Sequence, residues 1–258
     1  MKIQTLIVTT GQTDHSLLER MNVQTDALVG NQCDRNEIEE FVHNGNNIRW
    51  FSMRERGVGL NRNTIMMRAD ADICVFADDD MVFHDGYADT VAKLFEQYPN
   101  ADILLFNIDE KDPKRYKNTE VVSVGRKNYG RYGAARLAFR TERVRMAGIS
   151  FHLMFGGGAK FSNGEDSIFL HDCLKHRLKM IAVPVAIAEL HDDRESTWFT
   201  GYDDNFFFGK GILYAYVYGK FAYLIALYNC LRHRNGLYRA YGWKNAYRRA
   251  CAGIRSLR

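Results

Sequence analysis

The chain has 258 residues, 46% of them hydrophobic and 26% charged, with three prolines and no low-complexity stretch; this excludes a disordered or fibrous protein and allows one substantial core, with or without an appendage. Its five cysteines (Cys33, Cys74, Cys173, Cys230 and Cys251) are odd in number, scattered and without a C-x-x-C pair, which argues against a disulfide framework or a structural zinc site. The net charge of +4 is uneven: residues 209–258 hold ten Lys/Arg and no Asp/Glu, leaving residues 1–208 with 25 basic against 31 acidic side chains, a net of −6, so body and tail are expected to have different tasks.

The first residues, MKIQTLIVTTGQTD, carry one lysine and an apolar run too short for a secretory leader. IQTLIVTT (3–10) is therefore expected to be the first core strand. DHSLLERM (14–21) reads as a short helix and DALVG (26–30) as a second strand. Asp34, with Glu37 three residues on, has the form of a capping box and predicts a helix over RNEIEEFVH (35–43). Strands follow at NIRWFSM (47–53), DICVFA (72–77) and DILLFNI (102–108), separated by helices over LNRNTIMMRA (60–69) and YADTVAKLFEQY (87–98). Such alternation predicts βαβ units and an α/β fold with a mostly parallel sheet flanked by helices.

After Asp109 the texture changes. Residues 109–132 are polar and basic, with a β-excursion over TEVVSV (119–124). AARLAFR (134–140) reads as a strand. FGGGAKFSNGED (155–166) is a glycine-rich loop that leads into the helix SIFLHDCLKHR (167–177). KMIAVPVAIAEL (179–190) is a further strand in which Pro184 marks an edge or a bulge.

Two clusters carry chemistry. The strand in ADICVFADDDMVF (71–83) ends in Asp78, Asp79 and Asp80. Three like charges at a strand end repel unless a cation or a donor network shares them. A hard divalent cation, Mg²⁺ or Mn²⁺, takes a few carboxylate oxygens and keeps positions open for phosphate; the plainer reading is an acidic turn before the next helix. In the second cluster, GGGAKFSNGEDSIFL (156–170), Gly157 and Gly158 let the backbone pass close to a ligand. Asn163 stands where it can cap the helix, with Glu165 and Asp166 in the first turn. Acidic residues there stabilise a helix by about 0.3–1 kcal/mol without any catalytic role; behind a glycine loop they can equally present a general base to a hydroxyl. Together, a carboxylate-bound cation for a leaving diphosphate and a separate base form the pair that glycosyl transfer from a sugar nucleotide requires.

In the order and spacing of three segments the chain resembles the family-two glycosyltransferases with the A-type fold. GVGLNRNTIMMRADADICVFADDD (57–80) is similar to the family's arginine-bearing helix, strand and D-x-D motif, and GGGAKFSNGEDSIFL to its acceptor-side E-D motif. HDDRESTWFTGYDDNFFFGKG (191–211) is similar to the His-then-S-T-W-F segment of bacterial surface-polysaccharide members. The resemblance covers about residues 3–211. It implies a single nucleotide-sugar-binding domain over 1–208, with a nucleotide half (1–108) and an acceptor half (109–208), followed by a basic aromatic helical tail (209–258).

The resemblance also implies roles. Asp78 and Asp80 match the D-x-D that holds Mn²⁺ or Mg²⁺ and the ribose-diphosphate of the donor, with Asp80 the more direct metal ligand; Asp79 between them contacts the donor sugar or is solvated. Asp166 matches the catalytic base, with Glu165 beside it. His191 matches a further metal or diphosphate ligand in some members, against the plainer reading of a structural histidine. Thr9, Thr10 and Gly11 end the strand that seats the base. Arg62 is expected either to pair with a phosphate or to lie solvated on its helix. The family's second strand usually ends in a carboxylate that reads the base; here Asn31 stands there, and its amide offers a donor and an acceptor to a uracil edge. Trp198 is expected as an acceptor-sugar platform or as core.

The tail holds eight of the fourteen tyrosines, and residues 212–231 are nearly apolar apart from Lys220. Five tyrosines and a central lysine disfavour a span, so peripheral contact with an anionic membrane is expected, on the cytoplasmic face; packing on the catalytic domain or on a sister subunit, giving a homo-oligomer, is the alternative. Nothing upstream resembles a nucleic-acid module. The expected activity is metal-dependent, inverting transfer from a UDP-sugar to a saccharide acceptor, lipid-linked, in bacterial surface-polysaccharide synthesis. The rivals are a degenerate glycan-binding or scaffold protein of the same fold and a sugar-phosphate nucleotidyltransferase, which should show a basic N-terminal triphosphate loop where TTGQTD has no Lys or Arg.

Overall fold

Ile3–Thr10 (β1) is buried through Thr9 and apolar on both faces, so it must be covered from two sides. In a computed structural model that describes residues 1–111, 116–191 and 201–257, β1 lies between Asp26–Gln32 (β2) and Ile73–Asp78 (β5), parallel to both. Asn46–Met53 (β4) adds in parallel outside β2, and Glu37–His43 (β3) closes that edge antiparallel. On the other side Leu137–Arg140 (β9) runs antiparallel between β5 and Ile103–Asp109 (β7). Met180–Leu190 (β10) pairs in parallel with β7 and antiparallel with the short Met81–Phe83 (β6) and Val122–Val124 (β8). The ten-stranded sheet is ordered β3-β4-β2-β1-β5-β9-β7-β10-β6, with β8 beside β10. Strands β1, β2, β4, β5, β7 and β10 point one way, which is the mostly parallel mixed sheet expected.

Successive strand residues point to opposite faces and build two cores. Ile7, Val29, Val75, Leu104 and Phe106 meet Leu17–Arg20 (α1) and Tyr87–Gln97 (α3) through Leu17, Leu18, Tyr87, Val91 and Phe95. Leu6, Val8, Leu28 and Phe76 meet Val58–Met66 (α2), Thr141–Met146 (α4) and Glu165–Lys175 (α5) through Ile65, Val144, Phe169 and Leu170. All five cysteines are buried free thiols.

The helix expected over 35–43 is instead the edge strand β3. The deciding signal is Asn44–Gly45, which joins β3 to β4 with positive φ at both residues (48° and 80°) and His43 paired to Asn46. This is the two-residue hairpin turn whose twist matches antiparallel strands. A local capping pattern cannot compete with the ladder that the turn starts. Phe41 then faces inward and stacks on His15 at 4.2 Å. Residues 134–136 form a single 3₁₀ turn before β9. Pro184 sits where the β7–β10 register shifts between Ala182 and Ala186, so the residue that cannot donate falls at an irregularity.

The division expected at 208/209 falls inside one helix, Asp204–Tyr218 (α6). Ile212 and Leu213 of α6 pack on Phe155 and on Ile168 of α5. Ala222–Arg232 (α7) and Trp243–Arg255 (α8) complete a helical layer on α6 through Tyr214, Ala226, Ala250 and Ile254. Gly211 and Gly253 allow that closeness, because a Cβ on either would run into the backbone of Ala250 or Phe208.

Candidate active site

The parallel strands β1, β2 and β5 end together at Thr10, Gln32 and Asp78, and a cavity of about 630 Å³ opens over those ends. Carboxyl ends of parallel strands are where α/β folds bind ligands, since the loops there are free of the ladder. The cavity is lined by the Asp78–Asp80 run on one side and by Glu165, Asp166 and Ser167 of the α5 first turn on the other.

Arg62 joins the two sides. It reaches from α2, and its guanidinium, only 5% exposed, lies over the Phe151 ring at 5.3 Å. Nη2 donates to Asp78 Oδ1 at 2.9 Å; Nη1 donates to Asp166 Oδ1 at 2.9 Å and stands 3.5 Å from Glu165 Oε1. The expectation of a solvated arginine is therefore corrected: a buried guanidinium needs anionic partners, and three carboxylates supply them. Burial by itself would depress the guanidinium pKa, but Asp78, Asp166 and Glu165 outweigh it and hold Arg62 above its ordinary value. Burial raises Glu165 to about 7, with the neighbouring Asp166 charge adding and Arg62 opposing. Burial likewise raises Asp166, against the pull of Arg62.

The helix carrying the E-D pair begins differently from the expected form. Its cap is Gly164 at φ 124°, not Asn163, and no side chain caps it. Asn163 lines the cavity instead. The Ala134 backbone N–H opposes the rise of Asp166, and a Cβ on Gly133 would come 3.0 Å from Asp166 Oδ2. Of the glycine run, Gly157 lines the cavity and its carbonyl accepts the first N–H of α2, from Val58, at 2.8 Å. Gly158, at φ 73°, lies against Gly57 rather than in the cavity wall.

The wall at the ends of β1 and β2 is built from Thr9, Thr10, Gln32 and Asn61. Thr9 Oγ1 donates to Asp79 Oδ2 at 2.6 Å, so Asp79 is tied to the end of β1. Gly11 takes φ 70° to turn the chain, and its N–H donates to Gln32 at 3.0 Å. Asn31 corrects the base-reading expectation. Its side chain is fully buried, its Oδ1 accepts Gln12 N–H at 3.0 Å, and its Nδ2 donates to Gln12 O at 2.9 Å. Both halves of the amide hold the loop after β1 from behind; Gln32, one residue on, faces the cavity.

A divalent cation fits the donor set in one way. Asp78 and Asp80 offer hard carboxylate oxygens at the cavity wall, and such ions are commonly held by one or two carboxylates with phosphate oxygens completing the shell. Among the described residues no three ligating side chains gather around one point. His191 donates its N–H to Asp80 O at 2.8 Å, which places it beside the motif, while its ring, half exposed, meets Glu189 at 3.1 Å. Trp198 lies outside the described residues. Tyr132, Tyr202, Phe206 and Lys210 also line the cavity and were not legible from sequence; Lys210 was grouped with the basic tail, and only the packing of α6 brings it here.

Comparison with known proteins follows the same outline. The profile of glycosyl transferase family 2 matches residues 32–157. The structure is similar to S. aureus TarS 1–349 in complex with UDP-GlcNAc, with TM-score 0.66 and 14% identity over 93% of this chain and 74% of that one. It is also similar to TarS 1–349 alone (TM-score 0.61, 14% identity, 91% and 72% covered) and to longer TarS, of which it covers 44%. A likeness at this identity is one of fold. No curated protein matches the sequence.

Proposed function

We propose that this chain is a family-two glycosyltransferase with the A-type fold and that it transfers a sugar, with inversion, from a UDP-sugar to a hydroxyl of a lipid-linked saccharide in bacterial surface-polysaccharide synthesis. The observation that carries the reading is the Arg62 bridge, which sets the D-x-D carboxylate Asp78 and the E-D carboxylate Asp166 in one cavity. A UDP donor is supported by the complex of the similar TarS with UDP-GlcNAc, and by a β1–β2 end walled with Thr9, Thr10 and Gln32.

The reaction needs a base, an aligned acceptor and a stabilised leaving group. Asp166 takes the proton of the acceptor hydroxyl as its oxygen bonds to the anomeric carbon. The bond from that carbon to the diphosphate breaks on the opposite face, and the electron pair leaves with the diphosphate. Asp166 retains enough basicity for this because burial offsets the pull of Arg62. Arg62 is a positioning residue: it fixes the carboxylate oxygens and keeps three like charges together. Asp80 and Asp78 would hold Mn²⁺ or Mg²⁺, which when bound supplies charge neutralisation of the departing diphosphate.

Membrane contact is supported by one face of α7 and the turn before it. Phe221, Leu224, Tyr228 and Leu231 are exposed at helical spacing, flanked by Lys220, Arg232 and Arg234. The helical run Asp204–Arg232 is long and apolar enough to cross a bilayer, but Gly219–Phe221 interrupts it and its residues pack in the layer described above. A helix lying on the cytoplasmic face fits these facts. The transfer reading is tested by incubating the protein with Mn²⁺, an acceptor mixture and a panel of nucleotide sugars. Release of UDP from UDP-sugars above the rates with GDP- or CMP-sugars is expected; no release from any donor sinks it.

A further inference from the structure

Beyond the catalytic cavity lies a second one of about 360 Å³, and its wall is basic: Arg126, Lys127, Arg131, Lys210 and Arg232 line it, with no Asp or Glu. The cations come from three places, the loop after β8, α6 and the end of α7. None of the five pairs with a carboxylate among the described residues; Arg131 lies over the Tyr116 ring at 4.6 Å and Lys210 over Phe206 at 5.9 Å. The positive field is felt next door, where burial and then the charges of Arg232 and Lys210 hold His233 below its ordinary pKa. Like charges converging on a small chamber repel one another, and an anion relieves that cost.

The chamber adjoins the catalytic cavity. Ser167 and Lys210 line both, and Ser167 directly follows Asp166 in the first turn of α5. The chamber thus adjoins the base, the side from which an acceptor must enter. Neutral donors complete it: the hydroxyls of Tyr129 and Tyr218 meet at 3.2 Å on its wall.

We propose that this chamber binds the phosphate of the acceptor, so that the hydroxyl offered to Asp166 belongs to a saccharide or polyol carrying a phosphodiester or diphosphate. The inference rests on the transfer reading above for its acceptor role, but the phosphate site is measurable without it. Arginine forks and lysines on several sides suit phosphate oxygens. A lipid diphosphate and a polyol-phosphate polymer present the same group. Arg232, at the end of the exposed face of α7, puts the chamber within reach of the former.

The test uses the full chain and three probes: hexyl diphosphate, a glycerol-phosphate oligomer and, as the neutral control, hexyl glucoside, each titrated calorimetrically. The wild type is expected to bind at least one phosphate probe and to bind hexyl glucoside more weakly by about tenfold or more. The doubly substituted Arg126→Ser, Arg232→Ser protein should lose about tenfold or more of the phosphate affinity, while its acceptor-free hydrolysis of UDP-sugar stays at the wild-type rate. Tighter hexyl diphosphate binding assigns the phosphate to a lipid-linked acceptor, and tighter oligomer binding to a polymer. Equal binding of the neutral and charged probes, or full phosphate affinity in the double variant, overturns the proposal. Absence of nucleotide release by the wild type would overturn the transfer reading and the acceptor role with it, and leaves the phosphate measurement to stand or fall separately.

Discussion

Arg62 Nη1 donates to Asp166 Oδ1 at 2.9 Å across 104 residues of sequence. The bond links α2 to the first turn of α5. Because the same guanidinium also holds Asp78, the carboxylates that end β5 and begin α5 share one cation, and disturbing any member disturbs both.

Asp166→Asn keeps the shape of the side chain and removes its basicity. Transfer should fall about 10²–10⁴-fold, the range over which general bases contribute. UDP binding, read by calorimetry, should stay within about threefold of wild type. Wild-type turnover in this variant would disprove the base assignment.

Arg62→Met removes a buried cation and leaves carboxylates facing one another. A broken buried ion pair costs about 3–5 kcal/mol, to be read from urea unfolding. The loss should shrink as pH falls, because protonated carboxyls no longer repel. Arg62→Lys should recover only part of it, since an ammonium cannot reproduce the fork. A stability deficit that does not change with pH would show that carboxylate repulsion is not its source.

The pH profile of transfer should have an acidic limb. Burial raises both Glu165, to about 7, and Asp166, and a raised carboxyl stays protonated to higher pH. The base form is therefore lost as pH falls through the raised values. At saturating substrate the rate should climb as pH rises through the interval around the Glu165 value of about 7, with an apparent midpoint belonging to the coupled pair. A flat profile over that interval would contradict the burial argument.

Gly156 sits at φ 97°, and a Cβ there would come 2.6 Å from Val58 Cγ1 and 2.7 Å from Glu165 Cδ. Gly156→Ala should cost about 1–3 kcal/mol of stability through overpacking and strain. It should also reduce transfer more than the fraction of unfolded protein explains, because Glu165 must move. Activity that merely tracks the folded fraction, measured by circular dichroism on the same samples, would remove this role of the glycine.

Chelation with EDTA should weaken UDP binding, and added Mn²⁺ should restore it. In Asp80→Ala and Asp78→Ala the Mn²⁺-dependent increment should be lost. Variants that keep both ion affinity and transfer would remove the D-x-D reading.

Much of this protein was legible along the chain because its signals are local. Apolar runs such as Ile73–Ala77 announce strands buried on both faces, and the acidic ends at Asp78–Asp80 and Glu165–Asp166 stand in motif order. Even the misread helix over 35–43 had a local corrective in Asn44–Gly45, since positive φ at two successive residues forces a hairpin. Tertiary packing alone decided the rest. Arg62 became an inward bridge because α2 lies against β1 and β2 and its guanidinium reaches Asp166 of α5; Asn31 turned away from the cavity because Gln12 offered both main-chain partners; and Lys210 entered the cavity because Ile212 and Leu213 of α6 pack on Phe155 and Ile168. Hydrophobic periodicity is written within one element and can be read there. A side chain's partner depends on which elements meet, and that is settled only when the whole core is packed.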